Sequence, residues 1–280
     1  MKHLSCTYSR FLIAALCCGF TSMSFAKEIF TWSVVPQFTG IAVHRDWTPL
    51  LHAIEKETGY RFTLKLYDSI PDFETAFHEG KPDFAYMNPY HAVMASKEKG
   101  YSPIIRDGKR KLTGILVARK DSNIKRIEDL RGAQIAFPSP NAFAASLYMR
   151  ALLVEKEGLD FIPIFAKTHS NSYRFVLLNK TSASGGVYRT LKRERPEAQS
   201  QLNVIYKTPS SASHPIVVHP RIPKEVSDAV QNSIISLANS SQGNAILKAI
   251  LIPEPILANY ERDYQPLLQL KLEKYVVNPK

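Results

Sequence analysis

The stretch Asp83-Phe-Ala-Tyr-Met-Asn-Pro-Tyr-His-Ala-Val93 constrains this chain more than any other. Its apolar run reads as a buried strand that halts at Asn88-Pro89, an N-cap and first-turn pair. An Asn side chain accepts from a free N–H of the first turn, and Pro has no N–H to leave unpaired. A strand that stops where a helix starts puts the free N–H groups of that helix, with the Tyr86 and Tyr90 rings, at the carboxyl end of the strand. Open α/β sheets hold small molecules at that end.

The rest of the chain repeats the alternation. Ile29 to Val35 reads as a strand that ends at Pro36-Gln37, and Trp47, Leu50, Leu51 and Ile54 stand at i, i+3, i+4, i+7 of a helix stopped by Gly59. Arg61 to Leu66 alternates as a strand, and Asp72 to Glu79 is a helix before Gly80. Further on come a strand from Thr113 to Arg119, the segment Ile127 to Gly132, and a strand from Gln134 to Phe137 that breaks at Pro138-Ser-Pro140. Asn141 is placed to cap a helix whose apolar face takes in Leu147, Ala151 and Val154. A strand at Ile162 to Phe165 and a helix at Asn171 to Leu178 follow, then a turn at Ser184-Gly-Gly-Val187 and a helix from Tyr188 to Arg195. After Val204-Ile-Tyr206 and the strand Ile216 to Val218, helices run from Pro223 to Asn239 and from Gly243 to Leu251. Strands and helices in this order specify βαβ units and a mostly parallel sheet.

The chain begins with Lys2 and Arg10, an apolar run from Phe11 to Phe20, and Ser24-Phe-Ala26, the pattern of a signal peptide cleaved after Ala26. The apolar run is too short to span a bilayer. Cys6, Cys17 and Cys18 all lie in this segment, so the mature chain is expected to have no disulfide, thiolate metal site or cysteine nucleophile. The formal charge of +11 falls to +9 when Lys2 and Arg10 are lost with it. The basic residues are scattered, and an exported chain rarely meets nucleic acid, so the excess reads as a solvated surface that steers anions.

The Asp83–Val93 pattern resembles the strand-helix junction of the periplasmic binding proteins of phosphate, phosphite and phosphonate transporters. Trp47-Thr-Pro-Leu-Leu51, Gly114 to Ser122, Ile127 to Gly132, Ile135-Ala-Phe-Pro138 and Thr168-His-Ser170 are similar to other segments of the same family, in the same order. The resemblance implies a type II two-lobe α/β fold, each lobe a mostly parallel sheet flanked by helices, with a two-segment hinge. The lobes would be 27–110 with 214–280, and 111–213, the chain crossing near Lys109 to Thr113 and Thr208 to Pro215. Two connecting segments let such lobes close on a ligand.

It also implies a cleft in which Gln37, Tyr86, Asn88 and Tyr90 face Asn141, Ala142, Phe143, Ala144, His169 and Ser170. His169 matches the histidine that donates to the oxyanion in the family. Phosphonate-binding members carry Ser-Thr-Ser in the first turn after Asn141, where this chain has Ala142, Phe143 and Ala144. Loss of those hydroxyls predicts weaker binding of simple phosphonates, and a ligand with an apolar or cationic part beside its anionic group. Phe143 either enters the cleft or turns into the core.

No Gly-x-Ser-x-Gly elbow, His-Glu-x-x-His pair or phosphate loop is present, and His44, His52, His78 and His91 have no metal spacing. No cofactor or metal is expected. A pyrimidine-synthase-like enzyme shares the fold, but such metabolism is cytoplasmic. The expected protein is a monomer of the periplasm that captures a small oxyanion-bearing solute and hands it to an ABC transporter permease; the alternative recipient is a membrane-bound sensor.

Overall fold

The computed structural model describes residues 28–277, so the signal segment, its cleavage point and the three cysteines lie outside the described residues. The chain enters as β1 (Ile29–Val34) and continues through α1 (Gly40–Thr58), β2 (Arg61–Lys65), α2 (Ile70–His78), β3 (Phe84–Tyr86), α3 (Pro89–Lys99) and β4 (Ser102–Asp107). It then crosses to β5 (Gly114–Arg119), a 3₁₀ turn at Ile127–Leu130, and β6 (Gln134–Phe137). α4 (Tyr148–Ala151) is flanked by π-turns at Phe143–Leu147 and Leu152–Lys156. β7 (Ile162–Phe165), α5 (His169–Leu177), β8 (Ala183–Val187), α6 (Tyr188–Leu191), α7 (Pro196–Gln201) and β9 (Leu202–Lys207) complete this part. The chain returns through β10 (Pro215–Val218), α8 (Lys224–Ser236), α9 (Ser241–Ala249), β11 (Pro255–Leu257) and α10 (Tyr260–Asp263).

Two sheets result, ordered β11-β4-β10-β3-β1-β2 and β7-β6-β8-β5-β9. The βαβ alternation gives parallel pairs where it predicts them, β1 with β2 and β3, and β6 with β7 and β8. The strands next to the crossings run antiparallel: β10 lies between β3 and β4, and β5 between β8 and β9. Ser102–Asp107 carries no sequence signal of a strand because Pro103, Ile104 and Ile105 are buried in succession, and a central strand covered on both faces has no alternation to read.

α1 shows how local sequence sets an element. The Thr39 hydroxyl accepts from the Ala42 N–H, and Gly59 ends the helix at φ 76°, a conformation open to glycine because it has no Cβ. The face between them buries Val43, Trp47, Leu50, Leu51 and Ile54. Trp47 meets Trp32 at 6.1 Å and Tyr86 at 4.8 Å between ring centroids.

Three expectations are corrected. Ser184 to Val187 is not a turn but most of β8, which pairs on both sides. The helix expected from Tyr188 to Arg195 is a single α-helical turn, α6. Val154, expected on the buried face after Asn141, is 44% exposed while Leu153 is buried. Each π-turn bonds i to i+5, so the face drifts from the 3.6-residue period.

The two crossings pair with one another: the Leu112 N–H donates to Ser211 O at 3.0 Å and the Ser211 N–H donates to Leu112 O at 2.9 Å. One apolar cluster runs through the first sheet and on into Ala142, Phe143, Ala144, Leu147 and Val187 of the second half. The last segment, assigned with 214–280 by the sequence, touches both halves. Leu272 is buried in this cluster, while Tyr275 O accepts from Arg150 at 2.8 Å and Lys274 pairs with Glu155 at 2.7 Å.

Candidate functional site

The ends of β1, β3 and β8 converge on the crevice between the sheets. Asn88 follows β3 and caps α3 as expected: its Oδ1 accepts from the His91 N–H at 2.8 Å. Its Nδ2 donates to Asn141 O at 3.1 Å, across the crevice. The structure brings Gln37, Asn88, Ala142, Phe143, Ala144 and His169 around one inner cavity of about 10 Å³, together with His214. That is room for roughly one water.

Tyr86 lies beside this cavity, and its hydroxyl accepts from Arg189 Nη1 at 3.0 Å. Tyr90 lies behind it, stacked on Phe143 at 6.1 Å, and Phe143 stacks in turn on Tyr148 at 5.7 Å. Phe143 thus lines the inner cavity and is also part of the core. Ser170 does not line the cavity; its hydroxyl donates to the Glu194 carboxylate.

Asn141 does not cap the helix that follows. Its Nδ2 donates to Glu74 Oε2 at 3.0 Å and to Val277 O at 2.7 Å, and its Oδ1 accepts from the Val277 N–H at 3.0 Å. The N-cap is Ala142, whose side chain has no oxygen to offer. The first N–H groups of that helix therefore have no side-chain partner and remain anion donors. Two glycines let this turn lie close to the second sheet. A Cβ on Gly114 would meet Ala144 O at 2.0 Å, and one on Gly185 would meet Ala145 O at 2.1 Å.

The sequence reading missed Arg189. It stands in α6, directly after β8, where strand end meets helix start in the same arrangement as Asn88. Its Nη2 donates to Gln37 Oε1 at 2.8 Å and its Nη1 to the Tyr86 hydroxyl. Its Nε is buried with no protein partner, and among the described residues no carboxylate pairs with it. A guanidinium held by neutral oxygens alone keeps an uncompensated charge in the crevice. Arg193, one turn on, is compensated: it bonds Asp46 at 2.9 Å and lies 4.6 Å from the Phe38 ring centroid.

Burial, with the Arg189 charge nearby, lowers the His169 pKa to about 3 and holds His214 well below the usual histidine range. Both rings are therefore neutral at neutral pH, each with one N–H donor. His169 Nδ1 lies 3.2 Å from Thr190 Oγ1; neither ring nitrogen of His214 has a protein partner. Burial raises Tyr90 to about 12 with help from Glu273, so its phenol stays a neutral donor. Among the described residues no group of three or more His, Cys, Asp or Glu side chains could hold a metal ion. His91 instead pairs with buried Glu74 at 2.8 Å.

An outer cavity of about 500 Å³ lies next to the inner one, between the crossings and α6, and includes Arg110, Lys111, Arg189, Lys192 and Arg193 in its wall. Leu112 and Val187 line both cavities. The volume is that of a small-molecule site.

The family model described as "ABC transporter, phosphonate, periplasmic substrate-binding protein" matches residues 32–264. The phosphonates-binding periplasmic protein of Escherichia coli (strain K12) is 22% identical over 243 residues, which cover 82% of this chain and 72% of that one. Among solved structures, a binding protein component of an ABC phosphonate transporter from Pseudomonas aeruginosa superimposes with a TM-score of 0.79 at 16% identity, covering 88% of this chain and 86% of that chain. PhnD1 from Prochlorococcus marinus in complex with methylphosphonate gives 0.78 at 16% identity, covering 88% and 98%. At such identities these two structures speak for the fold, the two-lobe architecture to which the sheets and crossings here conform.

Proposed function

The chain belongs to the family of periplasmic substrate-binding proteins of phosphonate ABC transporters, and from that membership we propose that its interlobe crevice captures an organic phosphonate or phosphate at Arg189. Members of the family capture solutes for transport and are not enzymes. Arg189 carries the reading. A half-buried cation with only neutral acceptors gains most from an oxyanion, and a guanidinium meets two oxygens of such a group at once. Gln37, the Tyr86 hydroxyl, neutral His169 and His214, and the free N–H groups after Ala142 surround it as further donors. Residues 27–110 with 214–280 act as one lobe and 111–213 as the other, with the paired crossings as hinge. A single chain passes the solute to the permease.

Arg189→Gln tests this. The substitution keeps a donor but removes the charge, and a lost charge-assisted contact of about 1.5–3 kcal/mol weakens methylphosphonate binding by roughly 10- to 100-fold. Calorimetry on both proteins measures it. Equal affinities would show that the anion sits elsewhere.

A further inference from the structure

The outer cavity has a property that capture of one oxyanion leaves unused. Arg110, Lys111 and Lys192 line it, all exposed, and among the described residues none of their side chains takes part in an ion pair or hydrogen bond. The cavity's carboxylate is Asp107, which is buried and turned to the backbone: its oxygens accept from the N–H groups of Lys109, Arg110 and Glu254. Arg189, also in the wall, reaches from this cavity to Gln37 at the inner one. Unpaired cations around a partly enclosed, low-dielectric cleft add their fields there.

We propose that the outer cavity is a second anion subsite, so that the ligand is an organic molecule carrying a phosphonate or phosphate and, a few atoms away, another negative group. This rests on the reading of Arg189 above. The first group sits on the Arg189 guanidinium, the organic body passes Leu112 and Val187, and the second group meets Lys111, Lys192 and Arg110. The same charges oppose a cationic tail, so this proposal departs from the apolar or cationic part expected from the sequence.

The probes are methylphosphonate, 2-aminoethylphosphonate and propane-1,3-bisphosphonate, titrated by calorimetry into the wild type and into the double variant Lys111→Gln/Lys192→Gln. The wild type prefers the bisphosphonate over methylphosphonate by about tenfold or more at low salt, and the aminophosphonate binds worse than either. Raising the ionic strength to about 0.5 M shrinks the preference, since the three cations are exposed to screening. The double variant loses most of the preference. If wild type and variant show the same ratio, or the wild type shows none while methylphosphonate still binds, the second subsite is wrong and capture at Arg189 stands. If neither anion binds the wild type, both readings fall.

Discussion

Arg189, His169 and His214 form one electrostatic unit, since each histidine titrates low partly because the guanidinium is near. His169 binds its proton at about pH 3 in the folded chain and near 6.5 when unfolded. Between those values the unfolded chain holds the extra proton, so stability is complete above pH 6.5 and falls as pH drops. At pH 5 the loss from His169 alone is about 2 kcal/mol. Thermal unfolding at pH 7.5 and pH 5 checks this: His169→Gln reduces the difference while the share from His214 remains, and an unchanged slope would mean that the His169 ring is not buried neutral. Asn88 was legible because a side-chain cap followed by Pro is written in adjacent residues. Arg189 was not, because Gly185-Gly186 ahead of it resembles a turn, so nothing marked the arginine as standing at a strand end.

Those glycines belong to the element scale. β8 needs them for close approach, not for a turn: a Cβ on Gly185 would fall 2.1 Å from Ala145 O, and one on Gly186 2.0 Å from the Tyr173 hydroxyl. Periodicity read α1 correctly because its packing is regular, and lost the face after Ala142 because the π-turns are not. Gly185→Ala must push the 143–145 turn away from the sheet, an overpacking cost of about 1–3 kcal/mol. Because the displaced turn offers the free N–H donors, binding weakens along with stability. Urea unfolding and methylphosphonate calorimetry on the one variant separate the effects. Lost stability with intact binding would place the anion away from this helix end.

At the scale of the whole molecule, contacts that join the lobes include the paired crossings, Arg189 of α6 on Gln37 and Tyr86, Arg193 just beyond α6 on Asp46, Asn88 on Asn141, and the last segment on Asn141 and Arg150. In the sequence, polar Ser/Pro-rich residues mark the segment that carries the second crossing. The connection through the last segment is not legible there, since it is made by single side chains, Asn141 and Arg150, meeting backbone groups 136 and 125 residues away. Asn141 joins the lobes directly as well, through Glu74, which also holds His91 of α3. Removing its side chain leaves one buried Glu74 oxygen short of a partner in this arrangement, whereas the half-exposed Val277 amide can turn to water. If the lobes open, water reaches that oxygen, so the cost of about 1–3 kcal/mol falls on closure more than on folding. Asn141→Ala is therefore expected to have a larger radius of gyration than the wild type without ligand, by X-ray scattering, and to return to the compact value at saturating bisphosphonate. Its affinity falls by the cost of closing, while the ratio between bisphosphonate and methylphosphonate stays as in the wild type, because neither anion subsite has changed. An identical profile with and without Asn141 would leave the last segment as packing alone, with no part in closure.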